Sequence, residues 1–422
     1  MTASRRPMAG PPRRISVAAR ARSAARTPRG RAALALVAVA SIVASALTIR
    51  SAGAAPTPAR ASAAAGGGTI AAVPGSVRPV PGHEMYAFVP YWEMDASIAR
   101  HVASVRLTTV GLFSVTHGST GALAAKEPGY RRITGPIGRQ IVADAHRDGR
   151  RVEVAYASFG REKNDALFAS DRVQAAVIRG LVALRRTLDV DGVAVDVEDI
   201  DPLDIPAYGA FVGRLRAALR SDDADATVTA ATGAGPGGAA LAAAANLAGA
   251  DRIFLMGYDY RTGASEPGAS APLARLDGDQ RTLAWSLDAY AVAGIPSTRL
   301  ILGLPLYGVA WPVDSPDLGA PATGKGSVWI PRRNLASLHD RTLHPTVDPV
   351  EQVAFLAVPD GSAWQAVYYD TPETLTEKLL LADDRGLAGA GVWALGYERG
   401  LPGYAKVLAT FGAGRLTTSS SP

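Results

Sequence analysis

The chain has 422 residues, 48% of them hydrophobic, no cysteine and a formal charge of +6. That is enough for one large domain with additions, and the lack of cysteine excludes disulfides, thiolate metal sites and a cysteine nucleophile. Ten of the 44 Lys and Arg residues lie in residues 1–50, which hold no acid; the remaining 34 face 38 acids, a net of −4, so the basic head is a topology signal rather than a nucleic-acid surface.

Arg31 precedes an uncharged apolar run, Ala32 to Ile49. At about 1.5 Å per residue it is just long enough to cross a hydrocarbon core, with the arginines left in the cytoplasm. Ala52-Gly53-Ala54 fits a signal-peptide cleavage site, and the long basic region fits a signal anchor. Either way the rest of the chain is expected outside the cytoplasm, touching a membrane only through residues 32–49 and only if they are not cleaved. Residues 51–82 form an Ala/Pro/Gly/Ser linker. The folded part is expected over 83–412, with a polar tail over 413–422.

From Tyr86 onward strands and helices alternate. Strands are expected at Tyr86–Trp92, Thr108–Thr116, Arg151–Phe159, Val190–Asp199, Ala226–Thr232, Arg252–Tyr260, Arg299–Gly308 and Gly389–Tyr397. Helical periodicity falls at Ile137–Asp148, at Asp171–Thr187 with Asp171 as a cap, and at Asp204–Leu219. Further helices are expected at Ala239–Ala248, Gly278–Gly294 and Pro372–Arg385. Alternating βα units imply a parallel sheet, and eight of them point to a closed (β/α)8 TIM barrel rather than an open doubly wound sheet. Val309 to Ser362 forms an insertion between the seventh and eighth strands that walls one side of the cleft.

The fourth strand carries the chemistry. In Val190-Asp191-Gly192-Val193-Ala194-Val195-Asp196-Val197-Glu198-Asp199, Val193, Val195 and Val197 share one face, and Ala194, Asp196 and Glu198 the other. Buried carboxylates are costly, so their place at a strand's C-terminal end marks an active site. Tyr91 and Trp92, Tyr258 and Asp259, Tyr307 and Trp393 fall at or near the same ends. Carboxylates among aromatic rings fit a carbohydrate site. Most glycosidases flank the scissile bond with two carboxylates about 5–5.5 or 6.5–9.5 Å apart. Asp196 and Glu198 point the same way from one strand and cannot do this, so one must act while the other supports it. A retaining reaction then needs a nucleophile from elsewhere, which the substrate's 2-acetamido group can supply.

Asp191-Gly192-Val193-Ala194-Val195-Asp196-Val197-Glu198 resembles the DGxDxDxE signature of glycoside hydrolase family 18, the chitinase family. Leu255-Met256-Gly257-Tyr258-Asp259, Ile301 to Gly308 and Gly391 to Gly396 resemble that family's sixth, seventh and eighth strands. Tyr258-Asp259-Tyr260, Gly263 to Gly268 and Ala271-Pro272-Leu273 resemble its bacterial spore-cortex and peptidoglycan-associated branch.

The resemblance implies a hydrolase of β-1,4 bonds next to N-acetylglucosamine, acting on chitin or peptidoglycan as a monomer without metal or cofactor. It implies Glu198 as general acid and then base. Asp196 would support the acetamido N–H and the oxazolinium ion, and Tyr258 would bond the acetamido carbonyl. Trp393 would be the floor, with Met256, Asp259, Tyr91, Tyr307 and Trp311 lining the substrate. Asp191 and Gly192 belong to the structural motif. The chain departs from the pattern at Ala194, where the family has Asp and its branch relatives often Asn, and at Ala157-Ser158-Phe159-Gly160, where Ser-Gly-Gly is usual. Ala194 offers no hydrogen bond, so altered pH dependence is expected, and a catalytically weak or inactive glycan-binding chitinase-like protein is the alternative. The six histidines, at 83, 101, 117, 146, 339 and 344, show no metal-ligand spacing.

Overall fold

Seven parallel strands come first in the chain: β1 (Glu84–Pro90), β2 (Thr109–Val115), β3 (Arg151–Ser158), β4 (Gly192–Val197), β5 (Thr227–Gly233), β6 (Arg252–Met256) and β7 (Leu300–Pro305). An antiparallel excursion follows, made of β8 (Gly308–Val313), β9 (Ser327–Trp329), β10 (Thr346–Asp348), β11 (Val353–Asp360) and β12 (Ala363–Tyr369). Then β13 (Gly389–Trp393) closes the barrel in the order β1-β13-β7-β6-β5-β4-β3-β2. This is the expected (β/α)8 barrel. The computed structural model describes residues 83–416. The basic head, the apolar run 32–49, the linker and the end of the tail lie outside the described residues. Among the described residues no helix is long and apolar enough to cross a membrane.

The helix Asp171–Leu188 shows how local sequence sets an element. Its stripe of Val177, Leu181, Leu184 and Leu188 is buried. Ser170, not Asp171, is the cap: its side chain accepts from the Val173 N–H, one of the donors a helix start leaves unpaired. Five short helices, Ile98–Ser104, Pro128–Ile133, Arg161–Phe168, Leu335–His339 and Tyr404–Gly412, join those expected. The helix after β6 begins at Leu283, because Thr282 caps it and the residues before it form a long loop.

Two motif residues act at the bottom of the barrel. Asp191 Oδ2 accepts from the Val152 N–H at 2.6 Å and lies 2.9 Å from His146 Nε2, tying β4 to β3 and to the helix Pro136–Arg147. Gly192 lies against β5, where a Cβ would come within 2.4 Å of the Thr227 carbonyl oxygen. The adjacent interior layer is polar: buried Glu153 accepts from Tyr86, Thr227 and Thr229, and Glu84 pairs with Arg151 and Arg252.

The insertion folds as one sheet, β10-β11-β12-β8-β9, reaching Tyr369, beyond the expected Ser362, because β12 pairs along β8 from Trp364↔Val313 to Tyr368↔Val309. It is bolted to the barrel through buried charge. Glu351 is fully buried and accepts from Arg261 and from the Ala269 and Leu276 N–H groups, all in the long loop after β6. Lys378 and Asp370 make a second buried pair.

Candidate active site

Asp196 is the last inward residue of β4, and Glu198 stands just beyond the strand. Two contacts fix the Glu198 backbone. Its N–H donates to the Ser158 carbonyl at 3.0 Å, and its carbonyl accepts from the side chain of Asn164. Asn164 is itself fully buried and accepts from Ser158 Oγ at 2.7 Å. Glu198 is thus aimed from β3 and the helix behind it, while its carboxyl opens to the barrel mouth.

The mouth gathers three carboxyl groups. Asp196 is 4% exposed, and its Oδ1 has no hydrogen-bond partner among the described residues. Burial pushes it up to about 7. Glu198 is raised well above the carboxylate range, first by burial and then by the charges of Asp196, Asp259 and Asp199. Asp259 is pushed up to about 6 by burial, held back by its bonds to Tyr307 and Ser270. Like charges so placed resist ionising together, so the mouth retains protons towards neutral pH. Tyr258 faces all three, and burial plus their charges hold its phenol neutral as a donor.

Aromatic rings complete the mouth. Trp393 meets Phe113 edge-on at 4.5 Å, Phe88 at 5.9 Å and Trp92 at 6.1 Å. The Trp92 indole donates to the Tyr397 hydroxyl at 3.0 Å. Met256, Tyr258, Trp92, Phe159 and Trp393 all rest on one apolar plug that includes Tyr86, Phe88, Phe254 and Ala194. Ala194 is therefore part of the apolar floor, which is why nothing from below bonds Asp196.

Residues 146–398, more than half of the chain, match the sequence profile of the glycosyl hydrolases family 18. The chain belongs to this family. A probable endochitinase of Caenorhabditis elegans is 29% identical over 271 residues, covering 57% of this chain and 42% of that protein. The chain spans less than half the length of the curated relatives it matches. A solved family 18 chitinase from Cycas revoluta, in complex with (GlcNAc)3, superimposes with a TM-score of 0.67 at 18% identity, over 79% of this chain and all of that one. The Bacillus cereus spore cortex-lytic enzyme SleL superimposes with a TM-score of 0.63 at 17% identity, over 78% and 74%. Both structures share the fold.

Within this family 18 barrel, Asp196, Glu198, Met256, Tyr258, Asp259 and Trp393 meet at one mouth, as the motifs imply. Three other expected residues sit elsewhere. Trp311 is fully buried: it shares a strand face with Val309 and Val313 in the insertion's own core, meets Tyr368 edge-on and donates to the Ser265 carbonyl at 2.9 Å. Tyr91 turns away because β1 ends at Pro90 and residues Tyr91–Glu93 make one 3-10 turn. Its ring lies over Gly129, while Trp92 takes the place beside Trp393. Tyr307 is 5% exposed and donates to Asp259, so it supports that carboxylate from behind rather than lining the cleft. Asn164 and Ser270 gave no sequence signal. Asn164 lies on an unforeseen short helix, and Ser270, whose Oγ lies 3.0 Å from the Asp259 N and 3.3 Å from the Tyr307 hydroxyl, lies in an irregular loop. Among the described residues no three His, Asp or Glu side chains gather as a metal-binding group.

Proposed function

We propose that the protein is an exported, retaining hydrolase of β-1,4-linked glycans containing N-acetylglucosamine, with chitin-like and peptidoglycan-like polymers as its substrates. The observation that carries this is the pairing of Glu198, whose carboxyl is raised well above the carboxylate range by burial and by neighbouring acids, with Asp196 on the same side of the same strand, whose buried Oδ1 has no partner among the described residues. The (GlcNAc)3 bound to the Cycas chitinase and the cortex-lytic role named for SleL support these two substrate classes.

In this reading Glu198 protonates the glycosidic oxygen as the C1–O bond breaks. The acetamido carbonyl oxygen, held by the Tyr258 hydroxyl, attacks C1 from the other side and forms an oxazolinium ion. Asp196 accepts the acetamido N–H and stabilises the positive charge. Glu198 then takes a proton from water, whose oxygen opens the ring at C1, and the original configuration is restored. Trp393 supports the sugar in its distorted form. The protein works as a monomer and needs no metal or cofactor.

Glu198→Gln tests the assignment: hydrolysis of N-acetylated oligosaccharides should fall by at least about 10³-fold, with binding retained. Full activity in that variant, or products of inverted configuration, would overturn it. Ala194 favours a second reading, a glycan-binding protein of low turnover, because it leaves Asp196 without a partner from below. Turnover on a panel of chitin oligosaccharides and peptidoglycan fragments separates the two. Residues 1–31 are assigned to the cytoplasm, 32–50 to a signal peptide or anchor and 51–82 to a linker. Fractionation with N-terminal sequencing of the mature protein tests export and cleavage.

A further inference from the structure

The insertion sheet holds a cavity of about 460 Å3 to which none of Asp196, Glu198, Tyr258 or Trp393 contributes. Its floor is one face of the sheet, with Phe355 and Pro359 from β11 and Trp364 from β12, and Pro359 is the direct cross-strand partner of Trp364. Leu318 forms a wall, and Asp317 and His344 stand at the rim. β8 leaves the barrel at Gly308, and Trp364 pairs with Val313 at its far end, roughly 17 Å along the strand. The cavity is thus carried on the outer part of the insertion.

Two tryptophans on this same face contrast sharply. Trp311 is fully buried, with its N–H bonded to the Ser265 carbonyl. Trp364 is half-buried, packed against the same apolar cluster from its open side. A protein usually buries an indole; here one is left partly open as part of the lining of a concave surface. The volume falls within the roughly 300–1,000 Å3 range of small-ligand sites, which pair an apolar lining with a few polar groups.

The lining charge narrows the ligand. It contains one carboxylate and one imidazole and no Lys or Arg. A phosphate or an acidic polymer would meet Asp317 with no cation to offset it. An uncharged ring with an apolar face and a hydroxyl-bearing edge matches the indole and proline floor and the polar rim.

We propose that this cavity is a second glycan-binding site, which takes a neutral sugar ring of a polysaccharide and holds the protein on insoluble polymer away from the catalytic mouth. This rests on the glycan-hydrolase reading above. Two linked sites raise local concentration without any new contact at the catalytic centre, so the second matters for polymers and not for short soluble pieces.

The test uses the full-length protein with Glu198→Gln, which binds without turnover. Retention on colloidal chitin and on peptidoglycan sacculi is compared with affinity for soluble N,N′,N″-triacetylchitotriose. Trp364→Ala should lower retention on at least one polymer by about tenfold or more and leave trisaccharide affinity unchanged. Leu318→Arg, a change at a 40% exposed wall residue that blocks the mouth without opening the core, should do the same and decides the matter if Trp364→Ala does not fold. Unchanged retention in the folded variants overturns the proposal, as does a loss of trisaccharide affinity in step with polymer retention. Failure of the catalytic reading looks different: the protein with Glu198 intact then fails to hydrolyse N-acetylated oligosaccharides, while the dependence of polymer retention on Trp364 is still read directly.

Discussion

Asp196→Asn separates the energetic cost of the active site from its use. The buried Asp196 carboxyl titrates at about 7 against an ordinary 3.8. A carboxyl whose pKa is raised by folding favours the folded state while protonated. That stability is fully present below the unfolded pKa and is lost as pH rises through the folded one. The window is therefore pH 4 to 7, and a shift of a little over three pH units corresponds to roughly 4 kcal/mol. Asparagine has nearly the same shape and never ionises. Its amide leaves a donor where Oδ1 is unpartnered, which costs about 1–3 kcal/mol at every pH. The pH-dependent part is the readout, because constant costs cancel in it. Urea unfolding of parent and variant at pH 3.5 and pH 8 should show the variant gaining on the parent by up to roughly 4 kcal/mol between the two. Hydrolysis should collapse in the same variant. An equal difference at both pH values, or a variant that loses ground as pH rises, would refute the argument that burial of this charge is a cost kept for function.

Asn164→Ala removes the donor to the Glu198 carbonyl and the acceptor of Ser158. A loss of about 1–3 kcal/mol in positioning should lower kcat about 5- to 150-fold with KM little changed, measured per folded molecule; unchanged kcat would make the contact merely structural. Asp199→Asn removes one of the charges that raise Glu198, so the basic limb of the kcat/KM profile should move to lower pH. A limb that stays put or moves up would contradict the electrostatics. Ala194→Asp places a carboxyl in the apolar floor among Tyr86, Phe88 and Phe254. It should stay protonated there, donate to Asp196 and shift the acid limb of the profile to lower pH; a profile unchanged in a folded variant would show that the two groups do not meet.

Much of this protein is written in local pattern. The alternation over 193–198 places Asp196 and Glu198 on one side of one strand, because a strand turns each side chain opposite to the last. Eight βα units suffice for the barrel, since a parallel sheet needs a crossover between every pair of strands. The elements without a readable pattern are mainly helices of five to nine residues, such as Pro128–Ile133 and Arg161–Phe168, too short for a periodic stripe to stand out.

Tertiary structure decided the rest. A single 3-10 turn breaks the alternation after Pro90 and exchanges Tyr91 for Trp92 at the mouth. Antiparallel pairing within the insertion sends Trp311 inward and leaves Trp364 half-open on the same face. Asn164 reaches Glu198 across 34 residues, and Arg261 reaches Glu351 across 90. The near-neighbour geometry of a strand is encoded by consecutive residues, so sequence alone determined which carboxyls share a face. Contacts between distant segments depend on how separate elements pack, and only the closed barrel with its insertion decided what holds those carboxyls in place.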